Sequence, residues 1–287
     1  MRADRSSATA ELVAWLRAVA TAHPELARAC QDPAASTLLD PRLGPLRRPS
    51  PRAARLLRHA AFGLVDHLAL RTAGIDAALR GAAALGVSQV VTLGAGLDAR
   101  AHRLPELARA RVIEVDHPAT QAKKRARAAR LGLGAAELVH AACDFGEVSL
   151  DEALTRAGHD RAAPTFWIWE GVTMYLPRPA VEATLDALAA RSAEGSRLAM
   201  SYLTPQRLRV SPRLGALAAS ALRLVSEPVL SSLTPEDAAR LLDARGFRVV
   251  SDVLPRDTAR SAGVTSRPLV PLAPDERLVV AERATRG

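Results

Sequence analysis

The chain has no asparagine, two lysines (Lys123 and Lys124), and aromatic side chains at only 3% of its 287 residues. Arginine and alanine stand where lysine and asparagine are usual, so the formal charge of +9 reads as a compositional bias rather than a phosphate-binding surface. The densest basic run, "RRPSPRAARLLRH" from Arg47 to His59, has no aromatics interleaved for base stacking and reads as a solvated helix face. Nucleic acid is therefore not an expected partner. Two cysteines, Cys30 and Cys143, exclude a disulfide framework and a CxxC metal site. The seven histidines are scattered, with no HExxH, so no metal is expected. No apolar run approaches the ~20 residues of a membrane span. The opening stretch, "MRADRSSATAELVAWLRAVATAHPEL", carries acids and no apolar signal core, which sets a cytoplasmic location as the expectation.

What is present is ordinary for a globular protein: 48% hydrophobic and 24% charged residues, at a length that fits one large α/β domain. Residues 7–31 read as a helix, with apolar positions at Leu12, Trp15, Leu16 and Val19. A loop with five prolines and a short helical piece follows (32–51), then helices over 52–71 and 75–85. Strand patterns come next at 89–93, 111–115, 136–142, 164–170 and 196–203, separated by helical patterns. This alternation predicts a parallel sheet covered on both faces. Beyond an irregular stretch, 204–232, a helix starts at "TPEDAARLLDARGF", and "FRVVSDV" and "ERLVVAER" close the chain as a hairpin that inserts one antiparallel strand. No internal repeat or second domain is visible.

The first strand runs into "GAGLDA", where Gly94 and Gly96 make a tight turn before a helix start. Free backbone N–H groups at such a turn favour a polar or anionic ligand, either a dinucleotide or S-adenosylmethionine. Each acid that follows is ambiguous alone. Glu114 and Asp116, two apart in "EVDHP", face one side of the second strand. They suit the ribose hydroxyls of an adenosine, or one of them caps the helix that begins at Pro118. Asp144 beside Phe145 after the third strand suits an adenine ring, or is a surface turn. Glu170 after the fourth suits an ammonium or sulfonium centre, or pairs with a buried arginine. Their common placement on the carboxyl edge of the sheet, where open α/β sheets bind ligands, favours the ligand readings.

These residues, with "SATAELVAWLRA", "DPAA", "ALRTAGIDAAL", "QVVTLGAGLDARAHRL", "VIEVDHPATQAKK", "CDF", "WEGVTMYLP" and "SEPVLSSLTPEDAARLLDARGF", resemble the leucine carboxyl methyltransferase type of S-adenosylmethionine-dependent methyltransferase, in its bacterial polyketide-associated O-methyltransferase branch. The resemblance runs nearly end to end. It implies a Rossmann-like class I fold: a mostly parallel seven-stranded sheet with one antiparallel strand, a helical preamble over 1–86, a cofactor-binding core over 87–203, a lid over 204–232, and a C-terminal helix and hairpin over 233–287. It implies S-adenosylmethionine as cofactor. Arg71 then matches the partner of the methionine carboxylate, and Gly94 and Gly96 the backbone approach to that same end. Asp116 matches the ribose acid with Glu114 as its neighbour, Asp144 and Phe145 the adenine contacts, and Glu170 the acid near the amino group. Tyr175 matches a position facing the transfer site, and Arg17 matches loosely a basic contact from the preamble. Ala99 stands where the family usually has threonine, and His102 where an aromatic is common. The implied reaction is methyl transfer to a carboxylate or hydroxyl of a small natural product, by a monomer or homodimer. A carboxylate needs no base, whereas a hydroxyl usually does, and His102 and His117 lie near the turns. The irregular stretch, with Arg207, Arg209, Arg213 and Arg223, suits an apolar acid or an ordinary amphipathic lid. The competing readings are a nicotinamide-dependent oxidoreductase, resting on "GAGLDA" and Glu114, and a cofactor-binding fold with a different, non-methylating role.

Overall fold

The computed structural model describes residues 3–61, 63–144, 148–205, 228–266 and 275–284. Strands β1 (Gln89–Leu93), β2 (Arg111–Asp116), β3 (Glu137–Ala142), β4 (Thr165–Trp169), β5 (Arg197–Leu203), β6 (Phe247–Val253) and β7 (Glu276–Arg283) form one sheet. Its order is β3-β2-β1-β4-β5-β7-β6. The first five run parallel, and β7 is antiparallel to both β5 and β6, as the sequence patterns predict. The order reverses between β1 and β4, so their carboxyl ends open a crevice.

Alternation along the strands divides the core in two. Val91, Ile113, Trp167 and Trp169 point to one face, where Leu154 of α7 (Leu150–Arg156), Leu185 of α8 (Arg178–Ala190) and Leu242 of α9 (Pro235–Asp243) cover them. Val90, Val112, Phe166 and Ile168 point to the other, against Ile75 and Leu79 of α4 (Leu64–Ala84) and Ala101 of α5 (Arg100–Arg103). Helix α6 (Pro118–Ala128) follows β2. The preamble helices α1 (Ala3–Ala22), α2 (Ala35–Leu38) and α3 (Pro51–Ala60) add their own core, with Leu16 and Val19 packed with Val65 and Leu68.

Helix limits in the preamble differ from the sequence expectation, and α1 already begins at Ala3 rather than at residue 7. Helix α1 stops at Ala22 rather than continuing to 31, because Pro24 disfavours helical backbone at His23; a short 3₁₀ turn, Leu26–Arg28, follows. The pair expected over 52–71 and 75–85 breaks instead at Gly63, whose φ of 98° no helix accommodates. Gly74, which falls in the gap expected between the two, lies inside α4 for a different reason. A Cβ there would stand 2.7 Å from Leu278 Cδ2, so the helix needs glycine to approach β7. The stretch expected to form a lid falls over 206–227 outside the described residues, along with Arg207, Arg209, Arg213, Arg223 and also Phe145.

Candidate functional site

A cavity of about 650 Å³ opens at the carboxyl ends of β1, β2 and β4, with α1 on one side. Of the sequence-predicted residues, Arg71, Gly94, Gly96, Asp116, Asp144, Glu170 and Tyr175 all line it. Arg17 does so too, donating from Nη2 to Leu97 O at 2.6 Å and pairing with Asp32.

The floor is the glycine turn. Gly94 and Ala95 donate to Val115 O at 2.8 and 3.1 Å, which ties the turn to β2. Gly94 and Gly96 have φ of 64° and 49°, the left-handed region that costs other residues dearly. A Cβ on Gly94 would lie 2.6 Å from Val172 Cγ2, and one on Gly96 would lie 3.2 Å from Ala10 Cβ. Glycine is thus required at both positions, by backbone conformation and by the side chains packed against the turn. At the end of β2, Asp116 accepts from Gly96 N–H and from His117 N–H. Burial raises its pKa, against the pull of those two donors. Further along the wall, Asp144 stands 3.5 Å from His117 Nε2.

Glu114 departs from the expectation. It shares a strand face with Asp116 but lies one pleat deeper, 1% exposed, off the cavity wall. Lys124 of α6, equally buried, reaches it at 2.6 Å, and His140 stands at 3.5 Å. Burial pushes Glu114 up to about 6, with Lys124 opposing. It is a structural ion pair beneath the site. His102 also turns away, its Nδ1 hydrogen-bonded to Gly132 O at 2.9 Å.

Beneath the opposite end runs a buried ion-pair chain. Arg71 donates from Nε to Glu170 at 2.9 Å and from Nη1 to both oxygens of Glu276, at 2.9 and 2.8 Å. Glu170 also accepts from Arg100 at 2.9 Å, and Arg100 pairs with Asp98 and, at 2.7 Å, with Asp76. Burial opposes ionisation of Glu170, Asp98 and Glu276, but Arg100 and Arg71 outweigh it and hold all three below the usual carboxylate range. Glu170 is therefore both a cavity acid and an arginine partner. Asp98, Arg100 and Glu276 escape a sequence reading. The first two lie in the quoted "GLDAR" and differ from surface charges only by burial. Glu276 has no local signal, because only the antiparallel insertion of β7 brings it to Arg71.

The remaining wall, from Val172 through Tyr175, Leu176 and Pro177 to Ala180, with Leu230, is apolar apart from Tyr175 and Thr184, whose hydroxyl donates to Ala180 O. Among the described residues, no group of three or more His, Cys, Asp or Glu is placed to hold a metal ion.

The family model for leucine carboxyl methyltransferase matches residues 10–189. The chain belongs to this family. It is a methyltransferase by that membership. A Frankia alni protein named as a proposed S-adenosyl-L-methionine-dependent methyltransferase is 35% identical over 240 residues, covering 79% of this chain and 76% of that protein. A Streptomyces avermitilis protein similarly named is 38% identical over 225 residues, covering 75% and 72%. In fold, the chain is similar to a Thermobifida fusca protein described as an inferred methyltransferase (TM-score 0.55, 22% identity, 87% of this chain and 94% of that one). A second Streptomyces avermitilis protein, from a domain family without assigned function, gives a TM-score of 0.57 at 16% identity over 83% of this chain and 92% of its own.

Proposed function

We propose that this methyltransferase acts on an oxygen, a carboxylate or a hydroxyl, of a small and largely apolar molecule. S-adenosylmethionine is the cofactor, and family membership decides for it against the dinucleotide reading of the glycine turn. The residues fit it: the Gly94–Gly96 turn, carboxylates and an arginine line the same cavity edge. Arg71 is assigned to its carboxylate, Glu170 to its amino group, Asp116 to its ribose and Asp144 to its adenine. When bound, the cofactor would supply a sulfonium methyl group to the acceptor oxygen.

The chain's own part is then alignment and exclusion of water, and alignment alone can supply ~7–11 kcal/mol of such a barrier. The observation that carries the choice of acceptor is the apolar wall from Val172 to Thr184 with Leu230. Among the described residues, neither a carboxylate nor a histidine stands on that wall to take a proton, and the cavity-lining His117 stands instead beside Asp144. An oxygen that arrives already ionised needs none. A carboxylate is therefore favoured over an alkanol, with Tyr175 orienting it. A cytoplasmic location goes with this reading; no helix among the described residues is long and apolar enough to cross a membrane.

The test is incubation with S-adenosylmethionine and matched apolar acids and alcohols, read by mass spectrometry as addition of one methyl group. Methyl esters from the acids are expected, with turnover reduced in Tyr175→Phe. Turnover of alcohols alone would reverse the choice of acceptor. Turnover of neither class would overturn the small apolar acceptor.

A further inference from the structure

We infer that Glu276, with His67 behind it, is a positioning residue that holds Arg71 in the orientation needed to take the cofactor's carboxylate. This rests on the assignment of Arg71 made above. Glu276 lies on β7, outside the matched residues 10–189, and is 2% exposed. Both its oxygens accept from Arg71 Nη1, and its Oε2 is also 2.6 Å from His67 Nε2. His67 and Arg71 lie one helical turn apart on α4, so a single carboxylate from β7 clamps two side chains of one helix face. Nε of Arg71 is fixed independently by Glu170. The guanidinium lies against Gly171, where a Cβ would stand 3.5 Å from both Nη1 and Nη2. Among the described residues Nη2 has no hydrogen-bond partner, while Arg71 lines the cavity. Two edges of the planar fork are thus occupied by protein carboxylates, which leaves Nη2 as the donor for a ligand carboxylate. Loss of either clamp lets the fork rotate.

A merely structural role would weaken every ligand alike or none. Positioning of Arg71 affects only ligands that carry the amino-acid end. The experiment is calorimetric titration of the full chain with S-adenosylhomocysteine and with 5′-methylthioadenosine, which lacks that end. Arg71→Gln should weaken the first at least about tenfold and leave the second within about twofold, as expected for loss of a hydrogen bond to a charged group. An unchanged ratio in Arg71→Gln would overturn the assignment of Arg71 itself. Glu276→Asp keeps the charge but shortens the reach, and should give the same selective loss of about tenfold. With Arg71→Gln selective, three results for Glu276→Asp overturn the inference: affinities equal to wild type, tighter binding of S-adenosylhomocysteine, or equal losses for both ligands. Should Glu276→Asp fail to fold, His67→Leu removes only the support behind Glu276. It should give a selective loss of about threefold, and no selectivity there would overturn the inference too.

Discussion

Replacing Lys124 by Met removes the partner of a buried carboxylate, and the consequence depends on pH in a way that can be worked out. Glu114 and Lys124 meet at 2.6 Å with side chains 2% and 1% exposed. With Lys124 present, Glu114 titrates at about 6, above the ~4.3 of an unfolded chain. A carboxyl raised in this way stabilises the fold fully below its unfolded pKa and less as pH rises through the folded one. Wild type therefore loses about 2 kcal/mol from this group between pH 4 and pH 6. Above 6 the lysine lets the carboxylate ionise inside, and stability from this group levels off. Without the lysine the carboxyl stays protonated when folded, so the loss continues with pH. At pH 7.5 the extra loss is about 1.5 pH units at 1.36 kcal/mol each, or roughly 2 kcal/mol. At pH 5.5 it nearly vanishes. A chain of this size loses about 2–4 °C of Tm per kcal/mol, so the gap between wild type and Lys124→Met should be about 4–8 °C larger at pH 7.5 than at pH 5.5. Thermal melts of both proteins at the two pH values measure this directly. The double variant Glu114→Gln/Lys124→Met should lose the pH dependence. A gap that is equal at both pH values would refute the reasoning.

Two glycine substitutions test the two uses of glycine in this fold. Gly94→Ala meets both a φ of 64° and a Val172 methyl at 2.6 Å, so it should destabilise by about 2–4 kcal/mol and weaken cofactor binding. Adding Val172→Ala should restore part of the Tm, and no recovery would show that backbone strain dominates. Gly74→Ala would ordinarily stabilise a helix by about 1 kcal/mol, but here its Cβ meets Leu278 Cδ2 at 2.7 Å inside the core. A net loss of about 1–2 kcal/mol is expected in chemical denaturation. In a Leu278→Ala background the same change should turn stabilising, and a gain in wild type would contradict the close approach.

The strands were legible because burial on both faces writes continuous runs such as "QVVTL" and "TFWIW", bounded by turns, and every strand falls within a residue or so of its pattern. Helix limits in the preamble were less so. Gly63 and Gly74 look alike in sequence, yet one supplies a left-handed turn and the other a close packing contact. Local sequence does not separate these uses, since the neighbour that decides the second, Leu278, lies near the other end of the chain. The site divides in the same way. Gly94, Gly96, Asp116 and Glu170 follow strand ends, and strand ends are where topology gathers residues. Glu114 shares a face with Asp116, but a lysine at a helical spacing in α6 claims it first. Glu276 belongs to the site only because β7 inserts beside β5.

The most direct measurement is calorimetric titration of wild type and Asp116→Asn with S-adenosylmethionine and S-adenosylhomocysteine. Asparagine keeps the shape of the side chain and an acceptor for one of the two N–H groups, which bond to different oxygens of Asp116, while removing the charge offered to the ribose. Micromolar binding by wild type, weakened about tenfold or more in Asp116→Asn, is the expected result. Absence of binding by wild type, or equal affinity in the two proteins, would contradict the assignment of this cavity edge to the cofactor.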